Sequence, residues 1–111
     1  GGAVTIHIAD MLKGIVTGAP TAARAYTLDT GANCDAGMSI AVNESIDWVL
    51  INLATTAAYI ITLTASANHT IVGNPLIAAQ SGTTGGLWGT SSAIFRTRKT
   101  AANTFVTYRI A

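Results

Sequence analysis

The chemistry this 111-residue chain could offer rests on one thiol, Cys34, two imidazoles, His7 and His69, and five carboxylates, Asp10, Asp29, Asp35, Glu44 and Asp47. A nucleophilic cysteine needs a base within hydrogen-bond reach, and both histidines lie far from Cys34 in sequence. A metal centre wants donors at short repeated spacings, and neither histidine has such a neighbour. The carboxylates match no calcium-loop spacing. Asp29 and Asp35 flank a turn in which capping is reason enough for them. The "TGGLWG" stretch at 84–89 lacks the strand–turn–helix context of a phosphate or dinucleotide loop. Cys34 therefore reads as a small buried thiol without a disulfide partner, and both histidines as structural. The chain reads as non-enzymatic, with no catalytic residue, cofactor, metal or small-molecule substrate.

If no residue is placed for chemistry, the elements must serve something else, and composition says what. Half the residues are hydrophobic, which is ordinary, but only 10% are charged, against about 25% in a typical domain. The 48 residues from Trp48 to Phe95 carry no Asp, Glu, Lys or Arg. Sparse charge is the mark of surface that meets protein, so an obligate oligomer or larger assembly is expected. A net charge of +1 predicts no strong field toward nucleic acid or anionic lipid. Residues 48–67 match a membrane helix in length, but Asn52, the threonines and the β-favouring "IITLT" predict two strands around a bend at "ATTAA". The chain starts at Gly1 without a basic, apolar leader. Removal of the initiator Met, a cleavage, or an unseen N-terminal arm would each account for the missing Met.

Alternation predicts a strand over 3–9, with Val4, Ile6 and Ile8 on one face. A turn or single helical turn follows at 10–14, with Asp10 as N-cap and Gly14 as stop. Further strands are predicted at 15–18, 24–28, 46–54, 57–66, 69–73 and 76–80. "DTGANCDAGM" at 29–38 has room for a short helix after Asp29 or Thr30. The strand at 46–54 is apolar on both faces and is expected to be central and buried on both sides. "AIFRTRK" (93–99) and "TFVTYRI" (104–110) form a hairpin around "TAAN". Eight to ten short antiparallel strands between turn signals predict an all-β fold, a jelly-roll-like β-sandwich. The chain is one domain over 1–111, with 1–18 read as an N-terminal arm or strand extension.

The closing hairpin gathers Arg96, Arg98, Lys99 and Arg109. Pairing Lys99 with Thr104 would put Arg96, Arg98 and Arg109 on one face, and a slip of one residue would undo this. Three readings of that face stay open: a solvated surface that discourages aggregation, a docking surface for an acidic partner or neighbouring subunit, or a nucleic-acid patch. Leu87 and Trp88, a large apolar pair in a glycine-rich loop, are the other candidates for a partner interface. Asn43-Glu44-Ser45 and Asn68-His69-Thr70 match the glycosylation pattern, which matters only in a secretory host.

Four stretches carry a resemblance through their serial order: "GIVTGAPTAARAYTLDTG", "AVNESIDWVLINLA", "AAYIITLTASANHTIVGN" and the terminal "FRTRKTAANTFVTYRIA". Together they resemble a β-rich domain of tailed-phage virion structural proteins, either capsid decoration (cement) proteins or head- and tail-fibre domains. One departure is that 29–38 lacks the proline and the longer alanine-rich helix that the family has after its "YTL" strand. The resemblance implies a homotrimer on the capsid surface of a virion, made in the host cytoplasm. It would decorate the shell by bridging subunits of the major capsid protein, without nucleic acid or membrane. The alternative is a fibre or receptor-binding module for a host surface glycan, which an exposed aromatic platform of Trp88 with Tyr26 or Tyr59 would favour.

Overall fold

Nine strands and two short helices follow one another in a regular manner in the computed structural model, which describes residues 4–80 and 91–111. They are β1 (Val4–Ile6), α1 (Ile8–Met11), β2 (Ile15–Gly18), β3 (Arg24–Leu28), α2 (Gly31–Gly37), β4 (Ser45–Asn52), β5 (Ile61–Thr64), β6 (His69–Val72), β7 (Leu76–Ile77), β8 (Ser92–Ala101) and β9 (Thr104–Arg109). One sheet has the order β1-β3-β5-β7 and the other β2-β4-β8-β9-β6. The first eight strands therefore alternate between the two sheets. Through β6 the chain returns to each sheet in the direction it ran before, so β1, β3 and β5 pair in parallel, as do β2 with β4, and β6 later pairs in parallel with β9. Among the described strands, β4–β8, β5–β7 and β8–β9 are antiparallel.

This corrects the expected all-β, antiparallel jelly-roll-like sandwich. The fold is a small mixed α/β arrangement of two mixed sheets with two helices. Among the described residues the turn signals fall where they were read, but most of them carry the chain across to the other sheet instead of back along its neighbour, and only the β8–β9 connection is a sequential hairpin. Local sequence encodes a reversal; which sheet receives the next strand is decided by where its apolar face finds cover.

The helices arise from local capping. The strand expected over 3–9 stops at Ile6. Asp10 accepts a hydrogen bond from the His7 amide at 3.3 Å, and Asp29 accepts one from the Ile8 amide at 2.9 Å. His7, not Asp10, is the N-cap, and Ile8 and Met11, three residues apart, are both buried. Gly14, with φ of 91°, ends the turn. In α2 the Thr30 hydroxyl accepts from the Asn33 amide at 3.2 Å, the expected N-cap geometry. Gly31 must be glycine, because a Cβ there would collide with the carbonyl oxygens of Asn103 and Asn68.

The core lies between the sheets. Ile6, Tyr26, Leu28, Ile61, Leu63 and Ile77 from one meet Trp48, Leu50, Ala93, Phe95 and Phe105 from the other, with Met11 and Cys34 beneath the helices. Trp48 and Phe95 pack with ring centroids 5.1 Å apart. β4 lies between β2 and β8, hence central as expected. Its burial is one-sided, however. Trp48, Leu50 and Asn52 are buried, whereas Val49 and Ile51 are half-buried and Asp47 is exposed. Among the described residues no layer covers the outer face of this sheet.

Candidate functional site

Folding brings together two residues that sequence distance kept apart. Cys34 on α2 and His69 on β6 are both fully buried, with Sγ 3.7 Å from Nδ1. In type they are a nucleophile and a base. Their bonding assigns them another task. His69 Nδ1 lies 2.7 Å from the backbone carbonyl of Asp29, and Nε2 lies 2.7 Å from the Thr107 hydroxyl. Thr107 lies 2.7 Å from Thr97, whose hydroxyl accepts from the Trp48 indole N–H at 2.9 Å.

An indole N–H can only donate and a carbonyl oxygen can only accept. Burial favours the neutral imidazole, and the Asp29 carbonyl then puts its hydrogen on Nδ1. Nε2 is left to accept, so Thr107 donates to it, Thr97 donates to Thr107, and Trp48 donates to Thr97. The Nδ1 hydrogen points at a carbonyl oxygen, so the nitrogen facing Cys34 is not free to take a proton. Burial pushes the thiol up to about 12, helped by the negative charges of Asp29 and Asp35. Burial likewise lowers the His69 pKa, outweighing the opposing pull of Asp29. The pair is held as a neutral strut that ties α2, β6, β9, β8 and β4 together. Among the described residues no group of three His, Cys, Asp or Glu side chains could hold a metal ion.

The cations of the closing hairpin are distributed by register. Arg96 faces Tyr108, Thr97 faces Thr107, and Phe95 faces Arg109, one residue off the expected pairing. Arg96 and Arg98 share the outer face, and Arg109 points to the other side. Arg109 reaches back to the Leu76 and Asn74 carbonyls at 2.6 and 3.2 Å and lies 5.9 Å from the Phe95 ring centroid. Arg96 grips Asp47 with two bonds of 2.6 and 3.0 Å, and Arg98 donates to Asn43 at 2.6 Å. Lys99 turns inward to Asp35 at 2.7 Å. The slip has a local cause. Asn103, at φ of 55°, makes a tight turn in which Ala101 pairs with Thr104, and an irregularity between Lys99 and Ala101 absorbs the difference. Leu87 and Trp88 lie outside the described residues. Tyr26 is buried under the core, so it contributes to no surface aromatic platform, and Tyr59 is half-buried.

The feature that sequence reading did not isolate is the outer face of the five-stranded sheet. Ile15 of β2 sits beside Val49 of β4, Val49 beside Ile94 of β8, and Ile94 beside Ile110 just after β9. This aliphatic row crosses four strands. Ile15 is 61% exposed, Ile110 50% and Ile94 42%; Val72 on β6, beside Tyr108, is 52% exposed. Next to the row lies the Asp47–Arg96 pair, followed by Ser45 and Arg98. Antiparallel surfaces that face water alternate polar residues outward; these residues do the reverse. Single exposed aliphatic residues mean nothing, whereas a contiguous set marks a surface that meets protein or another apolar body. The signal was present in the two apolar faces of 46–54. A groove of about 320 Å³ opens at the seam of the sheets between β1 and β2, floored by Ile6, Val16 and Tyr26 with Asp10 and Lys13 at its rim.

No family model matches the chain, and no curated protein or solved structure matches it.

Proposed function

We propose that this chain is a non-enzymatic structural module that works by surface contact, a virion protein that decorates a capsid and braces neighbouring subunits. The observation that carries this reading is the aliphatic row Ile15–Val49–Ile94–Ile110 on an otherwise uncovered sheet. The sequence resemblance supplies the setting; the low charge content agrees with it. In this mechanism the sheet face gives up water to a partner. The rigid hydrogen-bonded core keeps the face flat and in register while the shell is under load. Asp47, Arg96 and Arg98 set orientation at its border, because rim charges contribute more to specificity than to affinity.

The test uses capsid shells of the encoding phage prepared without this chain. Wild-type protein is expected to co-sediment with the shells. Ile94→Glu, with an unchanged circular dichroism spectrum, is expected to stay in the supernatant. Failure of the wild-type protein to bind, or equal binding by the variant, would overturn the proposal.

A further inference from the structure

We infer that the occupant of the open sheet face is a second copy of this chain, related by a two-fold axis running parallel to the strands between β4 and β8. This deepens the proposal above and rests on its reading that the face meets protein.

The argument is one of pattern. Rotating the sheet about such an axis lays β4 of one copy over β8 of the other and keeps each residue in its own row. Asp47 and Arg96 occupy one row, on β4 and β8. The rotation places each Asp47 on the partner copy's Arg96, so the two intrachain pairs become a square of alternating charge. Val49 and Ile94 occupy the next row and exchange in the same way. Ile15 on β2 and Ile110 after β9 lie one strand further out in that row, and each meets the other. Ser45 meets Arg98. An axis centred on β8 would instead stack Arg96 on Arg96. One placement of the axis therefore satisfies the charged and the aliphatic rows together. Stacked sheets of this kind pack about 10 Å apart with their strand directions within about 30° of each other.

The area is that of a small interface. Each outward position on a sheet occupies about 4.8 by 6.7 Å, so the positions that overlap on β2, β4, β8 and β9 span roughly 320 Å² in projection. Two such faces remove about 650 Å², the size of a weak, reversible contact. A trimer, which the resemblance implies, closes through two unlike patches, whereas a face that matches itself closes as a dimer.

The experiment is sedimentation equilibrium of the full chain up to about 0.5 mM, high enough to populate a weak dimer with a dissociation constant of about 100 μM. The expected mass is twice the 11.3 kDa of one chain. Ile94→Glu should raise the dissociation constant by about 30-fold or more, as loss of a central anchor does. Arg96→Asp should weaken the dimer and Asp47→Arg/Arg96→Asp restore it, since the double exchange keeps every opposite-charge contact. A single-chain mass across the range, a three-chain mass, or a dimer indifferent to Ile94→Glu overturns the inference. The wider reading fails separately: it survives a monomeric result if Ile94→Glu still abolishes shell binding, and it falls if shell binding is untouched.

Discussion

Replacing Thr107 by valine keeps the shape of the side chain and removes one hydroxyl from the middle of the buried relay. His69 Nε2 then loses its donor and the Thr97 hydroxyl loses its acceptor. All three residues have no solvent exposure, so water cannot take over. Each buried polar group left unpaired costs about 1–3 kcal/mol. The methyl that replaces the hydroxyl returns at most about 0.8 kcal/mol. A net loss of about 1–5 kcal/mol follows, which for a chain of this length lowers Tm by roughly 4–20 °C. Thr107→Ser keeps the hydroxyl and should cost only about 1 kcal/mol for the lost methyl. Urea denaturation of both variants, with Thr97→Val alone and combined with Thr107→Val, measures the coupling. The relay requires the two valine substitutions together to cost less than their sum by about 0.5 kcal/mol or more. If Thr107→Val costs no more than Thr107→Ser, or if the two valine substitutions are additive, the directional relay is wrong.

Stability should fall on acidification beginning near pH 6.5. The pKa of His69 is lowered in the folded chain, so the unfolded chain binds more protons below 6.5 and is favoured there. Urea midpoints at pH 7.5 and 5.5 check this, and a flat profile refutes it. Cys34, with its thiol pushed up to about 12, should resist a disulfide reagent at pH 8 in the native state and react at once in denaturant; fast native labelling would contradict its burial. The raised thiol pKa also predicts loss of stability as pH climbs above 9, where the unfolded chain gives up the proton first. Gly31→Ala forces a Cβ into the Asn103 and Asn68 carbonyl oxygens and should cost about 2 kcal/mol or more by thermal denaturation.

Much of the element map was legible because it is local. Arg24–Leu28 alternates, Thr30 caps, and the strands on either side of "TAAN" are read directly from their β-branched and aromatic residues. Asn103, in the expected "TAAN" loop, adopts the left-handed backbone that its turn needs. Two errors had different roots. Reading 3–9 as a single strand missed that the Asp29 carboxylate, 21 residues away, holds the Ile8 amide and lets a helical turn begin. Burial by itself would raise the Asp29 pKa. Hydrogen bonds from Ile8, Asn33 and Thr30 outweigh that and hold it below the usual carboxylate range. Placing Arg109 with Arg96 and Arg98 missed a one-residue shift beside a two-residue turn, and a shift of one exchanges the faces.

The sequence by itself determined roughly where most strands lie, where the chain turns, and that too few charges are present to clothe it. Those properties depend on neighbours within a few residues or on composition alone. Tertiary structure decided the rest. It set strands β1 to β8 in alternate sheets and so made the pairings β1–β3, β3–β5 and β2–β4 parallel. It brought His69 to Cys34, Thr107 and Asp29 across 35 to 40 residues of chain. It also left one of the two apolar faces of β4 without cover among the described residues. A pattern of side chains states that a face is apolar; only the packing of all the strands states whether this chain buries that face or offers it to another.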